Sequence, residues 1–412
     1  MEENKFVDRR FDRLAWIALF LPIIAKLDVF RPDIAAIYTG FGEDTSGEIT
    51  VGLRQTLEIV AIAISLAGAL FLFTKIRWER PLPAVQKAAI GYLGAILFST
   101  FVSISPFLTI LRASETIAGC IILLHFINGR SNDEAIYWIV NILLSMCLLS
   151  VADKLTFLFM YSPPDVFEFI RNNGSGSAAC AALVILATSG FKSRKAILYI
   201  GVALFCVIFF RSLTNILGAL LGIAIAMTAK IFKQKNASDM GISWIILLGV
   251  AGYVVFIRYF LAEDAISLLA YFSGRSQAGI ENLTGRSDIW RYAWDLASLN
   301  PQGLGYIAGE RIELFALLRD LNGFGTHSHN IILSILIGSG WLGVVVFVIW
   351  LFLAIGKSDR STNDIFGTYM ALIIFFVISS LTDPSIGSIF GSSMIVFTYL
   401  SFSNVRTTRI TA

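Results

Sequence analysis

The feature that most constrains this chain is a succession of apolar runs, each near the length of a membrane span. They fall at about 14–30, 52–74, 88–104, 107–127, 135–151, 176–190, 196–210, 215–229, 241–260, 331–355, 364–381 and 386–403. A helix needs roughly 20 apolar residues to cross a bilayer. Lipid also leaves backbone N–H and C=O groups no partner except one another, so such runs fold as helices. Composition agrees, with 56% hydrophobic and 15% charged residues and a mean hydropathy of +0.74. Soluble domains carry roughly 25% charge. The expected fold is all-α: a polytopic membrane protein of about 12 transmembrane helices. Residues 1–260 supply nine of them, 261–330 form one large loop, and 331–412 supply the last three.

Charge sets the expected orientation. Lys5, Arg9, Arg10 and Arg13, then Lys75, Arg77, Arg80 and Lys87, mark one side of the membrane. Arg130, Lys192, Arg194, Lys195, Lys230, Lys233, Lys235, Lys357, Arg360, Arg406 and Arg409 join them, more than half of the 32 Lys and Arg. By the positive-inside rule both termini are cytoplasmic and the 261–330 loop faces outward. The net charge of +3 is small and gives no nucleic-acid signal. Cys120, Cys147, Cys180 and Cys206 all lie in apolar runs, so a disulfide framework is not indicated. Residues 1–13 are charged and lead into the first run without a small-residue cleavage site, so no cleavable leader is expected. Among the outward segments, 155–171 is aromatic-rich and reads as interfacial.

The large loop carries the chemistry. Its segment 284–301 reads as a helix with Ser287 as N-cap, Asp288 in the first turn and Asn300-Pro301 as the stop. Ile289, Ala293, Leu296 and Ala297 share one face, and Trp290 and Trp294 form an i,i+4 aromatic pair. Arg286 stands just before the helix start. Backbone N–H groups, the helix dipole and a guanidinium there suit a phosphate or pyrophosphate; the alternative is an arginine paired with a carboxylate. The next segment, Gly303-Leu304-Gly305-Tyr306-Ile307-Ala308-Gly309, has the wrong spacing for a nucleotide fingerprint and reads as a tight turn. Residues 310–320 read as a short amphipathic helix with Ile312, Phe315 and Leu318 on one side.

His327 and His329 close the loop and Asn330 opens the next span. An i,i+2 histidine pair with no loop cysteine, and acids without ligand spacing, is a poor metal site. A general base is the better use of one imidazole. Arg211 sits at an outward turn and Arg112 about one turn inside a span. Charges at such depths are costly unless paired, solvated or functional. Snorkelling accounts for Arg54 and Arg258, and packing inside a span for His125.

The ordered motifs carry a family resemblance. Leu283-Thr284-Gly285-Arg286-Ser287-Asp288-Ile289-Trp290 precedes Asn300-Pro301 and Gly303-Leu304-Gly305. His329-Asn330-Ile331-Ile332-Leu333 and Gly338-Ser339-Gly340-Trp341-Leu342-Gly343 follow. Together they resemble the O-antigen ligase and Wzy-type polymerase superfamily, in particular exopolysaccharide polymerases. That resemblance implies a GT-C-like fold in the bacterial inner membrane, with the active site in the periplasm. It implies inverting, metal-independent transfer of an undecaprenyl-pyrophosphate-linked oligosaccharide to an acceptor sugar hydroxyl. No cofactor is implied; the partners are the lipid-linked donor, a glycan acceptor and membrane lipid. By motif, Arg286 and Arg211 bind the pyrophosphate and His329 is the catalytic histidine. Arg112, His327 and Asn330 are supporting candidates. The turn here runs Arg211-Ser212, where Ser-Arg is the commoner order.

Three rivals stay open. A ligase passes the glycan to a lipid A core, a polymerase to another lipid-linked repeat. A flippase or transporter is expected to keep paired intramembrane ions and broken helices, whereas Asp28, Glu58, Glu115 and Asp153 lie near span ends. A metal-dependent transferase would need ligands such as Glu43 and Asp44, which otherwise read as solvated loop acids.

Overall fold

The computed structural model describes residues 11–25, 27, 47–76, 78, 81–161, 166, 170, 172–190, 195–234, 286–316, 328, 330–359, 361, 363–380 and 391–403. Among them every regular element is helical. The helices are α1 (Asp12–Ile24), α2 (Gly47–Phe73), α3 (Ala84–Phe98), α4 (Pro106–Ile127), α5 (Asn132–Tyr161) and α6 (Asn173–Thr188). They continue as α7 (Ala196–Phe210), α8 (Leu213–Gln234), α9 (Arg286–Leu299), α10 (Ile331–Asp359), α11 (Asn363–Ser380) and α12 (Ser392–Phe402). Five stretches are long and apolar enough to cross a membrane: Thr56–Phe73, Ala84–Val102, Pro106–Ile127, Asn132–Met160 and Ile331–Ser358. Shorter apolar helices cover most of α6, α7, α8, α11 and α12. Every expected span falls on a helix except 241–260, which lies outside the described residues, as do 261–285 of the loop.

α12 is the axis of the bundle, with every residue from Ser392 to Phe402 buried. It packs on α4, α6, α3 and α11. Small and hydroxylated residues let the backbones approach, as membrane interfaces require. Ser392 Oγ donates to Ser177 Oγ of α6 at 2.7 Å, and Trp350 Nε1 of α10 donates to Ser401 Oγ at 2.8 Å. α8 meets α11 through Gly218 and Gly222, and a Cβ on Gly222 would lie 2.8 Å from the Ala371 carbonyl oxygen.

One local reading changes. The stretch Leu155–Tyr161 continues α5, a helix of 30 residues, and is not a separate interfacial piece. No glycine or proline interrupts it before Pro163, so nothing stops the helix sooner. The break at 103–106 is real but short. α3 passes into a 3₁₀ turn, Ser99–Val102, and α4 restarts with Pro106 at its first position, where the missing N–H costs nothing.

The starts of α4, α6 and α12 share one end of the bundle. Ser177 and Ser392 are bonded near the starts of α6 and α12. Farther along, Thr398 of α12 meets Cys120 of α4, and Tyr399 donates to Asn132 just beyond the end of α4, so α4 and α12 run in the same direction. The positive-inside reading makes this end the outward one.

Candidate active site

The end of the bundle where α4, α6 and α12 start is organised around a docked turn. Three backbone hydrogen bonds fasten residues 301–305 to the middle of α10. Leu304 N donates to Ile337 O (2.7 Å), Gly305 N to Gly338 O (2.9 Å) and Trp341 N to Pro301 O (3.1 Å). α10 supplies these carbonyls because it breaks at Gly340 (φ 65°, ψ −165°), a conformation closed to ordinary L residues. On the other side, Ile104 N donates to Leu304 O (3.1 Å) and Tyr306 N to Ser99 Oγ (3.0 Å). The turn is thus wedged between the α3–α4 break and the α10 break. Glycine is required for two reasons. Gly303 (φ +85°) and Gly305 (φ +100°) are left-handed, and a Cβ on Gly303 would lie 2.6 Å from Gly340 N. The tight turn expected at 303–309 is therefore present, and its purpose is docking.

α9 enters this frame with Arg286 as its first helical residue, two positions earlier than a Ser287 cap implies. Ala293 and Ala297 are buried, and Ile289 and Leu296 pack against the core beside them, as the sequence pattern requires. The two tryptophans diverge: Trp294 is half exposed, while Trp290 turns inward and donates its indole N–H to Ser328 O at 2.9 Å. That bond ties the helix beginning at Arg286 to the residue preceding His329. The Arg286 side chain, His327 and His329 lie outside the described residues.

Ser328 is held on every side. Its backbone N–H and its hydroxyl donate to Glu310 Oε1 (3.1 and 2.6 Å), and Ser334 Oγ donates to the same oxygen (2.7 Å). Ser328 is fully buried and Glu310 nearly so, at 9% exposed. Asn330 Oδ1 accepts from the N–H groups of Ile332 and Leu333 (2.9 and 3.3 Å). It is the cap of α10, a structural use of the supporting candidate. Of the helix expected at 310–320, residues 310–316 are described: a π-type turn, Gly309–Leu314, buries Glu310 and Leu314, Ile312 and Phe315 stay substantially exposed, and Leu318 lies outside the described residues.

The two remaining arginines sit in α4 and after α7. Arg211 closes α7 in a left-handed conformation (φ 51°) and is half-buried. The turn is braced by Ser212 Oγ donating to Asn173 Oδ1 (3.2 Å) and Asn215 Nδ2 donating to Asn173 O (3.0 Å). Ser212 and Asn173 bring it to the start of α6, hence to the end of the bundle that holds the docked turn. Arg112 pairs with the buried Glu115 of its own helix at 2.7 Å. One residue on, Thr116 Oγ1 lies 3.1 Å from Tyr306 OH, which joins α4 to the docked turn. Burial pushes the Tyr306 phenol well above its ordinary range, and the negative charges of Glu115 and Glu310 push the same way.

The structure therefore gathers α9, residues 301–310, Ser328, Asn330 and the start of α10 into one unit, with Arg112 reaching it through α4. Sequence reading missed Glu310, Ser328 and Tyr306 as members. Each is an ordinary polar residue in a loop, and no periodicity links Glu310 to Ser328 across 18 positions. Among the described residues no cluster of His, Cys, Asp and Glu is set to hold a metal ion.

No curated protein matches the chain. Residues 173–348 match a family model described as O-antigen ligase. The matched span begins at the first residue of α6 and takes in the Arg211 turn, α9, the docked turn, Ser328 and the Gly340 break. Residues 173–348 are thus similar to the O-antigen ligase family, and the chain that carries them is an all-α, multi-pass membrane protein.

Proposed function

We propose that this protein elongates an envelope polysaccharide by transferring a glycan from undecaprenyl pyrophosphate to a sugar hydroxyl of an acceptor chain. An acceptor oxygen attacks the anomeric carbon from the face opposite the pyrophosphate. The new C–O bond forms as the bond to pyrophosphate breaks, its electron pair leaves with the lipid diphosphate, and configuration inverts. His329 takes the hydroxyl proton. Charge grows on the departing oxygen, where Arg286 and Arg211 offer planar, two-pronged donors. Two guanidinium groups then take the charge-neutralising part that a divalent cation plays in other transferases, and no metal is needed. The membrane helices hold the polyprenyl tail, and the outward end of the bundle faces the periplasm.

The observation that supports this reading best is the Trp290–Ser328 hydrogen bond. It sets the start of α9, one turn from Trp290, beside the residue adjoining His329. A base beside an anion-binding helix start is what this displacement needs. The family's description as O-antigen ligase favours one second reading, with a lipid A core as acceptor.

The test is transfer by purified protein from a synthetic lipid-linked donor. Arg286→Ala and His329→Ala each abolish transfer while inserting and purifying normally; loss of a positioned base costs about 10²–10⁴-fold. Full activity in both variants would remove the assigned roles. In cells, deletion that collapses a glycan ladder to single repeats indicates a polymerase. Accumulation of long lipid-linked chains indicates a ligase. Undiminished activity in a chelator is expected, and its loss would return the metal-dependent alternative.

A further inference from the structure

The buried carboxyl of Glu310 has no part in the reaction just described, yet it is the acceptor around which the 328–334 segment is built. One oxygen, Oε1, takes the Ser328 N–H, the Ser328 hydroxyl and the Ser334 hydroxyl. Burying a carboxylate costs several kcal/mol unless its hydrogen bonds are made, so a clamp that only joined two loops would be an expensive choice. Among the described residues no ion pair to Glu310 is present, and the donors there are two serine hydroxyls and one backbone N–H. Those donors come from the residue just before His329 and from the first turn of α10. Trp290 holds the remaining polar group of Ser328, its carbonyl. Ser328 thus has its N–H, C=O and hydroxyl all committed, which fixes the backbone from which residue 329 departs.

We infer that Glu310 is a positioning residue for the transfer step: by clamping Ser328 and Ser334 through Oε1 it sets where His329 meets the acceptor hydroxyl. This rests on the role proposed for His329. The work is done by hydrogen-bond acceptance, so an amide oxygen at the same place serves as well as a carboxylate. Donor binding is the business of Arg286 and Arg211, and Glu310 leaves it alone.

The test measures kcat and KM for the lipid-linked donor with purified full-length protein, alongside thermal stability in detergent. Glu310→Ala lowers kcat by about 10–100-fold, the scale of a displacement near 1 Å at a reacting group, with KM within about twofold. Glu310→Gln, which keeps the acceptor, restores kcat to within a few-fold of the parent. Should Glu310→Ala fold poorly, Ser334→Ala removes one donor of the three and lowers kcat in the same direction with KM unchanged. Unchanged kcat in Glu310→Ala, or in Ser334→Ala where that variant stands in for it, overturns the inference. So does a rise in KM at constant kcat, or a Glu310→Gln variant as impaired as Glu310→Ala. His329→Ala separates the two claims. If it stays active, the proposed chemistry fails; if it is inactive while Glu310→Ala is normal, only the clamp fails.

Discussion

The two ends of this helix bundle are fastened by different means. At the inner end the fasteners are charged side chains. Asp12 Oδ1 of α1 accepts from Arg130 Nη2 at 2.6 Å and lies 3.0 Å from His125 Nε2. The Arg130 guanidinium also lies over the Trp138 ring, 5.0 Å from its centroid. Lys357 Nζ donates to the carbonyls of Leu400, Ser401 and Ser403, satisfying the end of α12. At the other end the docked turn is fastened by backbone groups, beside the side-chain clamp of Glu310 on Ser328 and Ser334. The 301–305 turn lies on the broken α10 with glycine facing glycine, and two of its hydrogen bonds are made by Leu304 and Gly305 amides. A side-chain fastener tolerates small movements and can be traded for another pair. A backbone fastener holds position closely and commits no side chains. That fits the substrate-binding role proposed for this end.

The contrast can be broken by substitution. Gly340→Ala should have the largest effect, because it strikes the backbone dock. A Cβ there overlaps the Pro301 and Gln302 backbone. Strain at a positive φ costs about 1–3 kcal/mol and overpacking about 1–3 kcal/mol more. Little folded protein should survive purification, as size-exclusion profiles in detergent will show. A variant as stable as the parent would mean that the dock is dispensable.

Arg130→Ala should come next. The Arg130 side chain is 2% exposed and Asp12 14% exposed. Removing one member of a buried pair costs about 3–5 kcal/mol, and partial access to water at Asp12 brings the expectation to the lower end of that range. Melting temperature should fall while transfer per folded molecule stays at the parent level. Lower turnover in the folded fraction would erase the division of labour between the two ends.

Trp290→Phe should have the smallest effect on stability. It keeps an aromatic ring and loses one hydrogen bond, worth about 1 kcal/mol. Its effect on turnover should be out of proportion, about tenfold, because the bond sets residue 328 beside the proposed base. Equal and slight changes in both quantities would make Trp290 a packing residue only.

Much of the site was legible before any coordinates. Arg286 at a helix start, the Asn300-Pro301 stop and the apolar face of Ala293 and Ala297 follow from capping, proline geometry and the 3.6-residue period. Those rules act over one or two turns of chain. Trp290 shows where they end. Periodicity paired it with Trp294, but only one of the two could turn toward Ser328, and that choice depends on what lies across the gap. Asn330 shows the converse. Its place before an apolar run is a cap signal, and its side-chain oxygen accepts from the Ile332 and Leu333 N–H groups.

The amino-acid order alone determined that this chain is a bundle of membrane helices, which side its charges favour, and which loop carries arginine and histidine. Burial of apolar runs and the cost of unpaired backbone in lipid decide those matters locally, residue by residue. Only the tertiary structure decided that Gly303 meets Gly340, that Gly305 meets Gly338, and that Glu310 reaches Ser328. Such pairings join residues far apart in the chain, and they exist only once the broken α10 and the α3–α4 turn have packed around the loop between them.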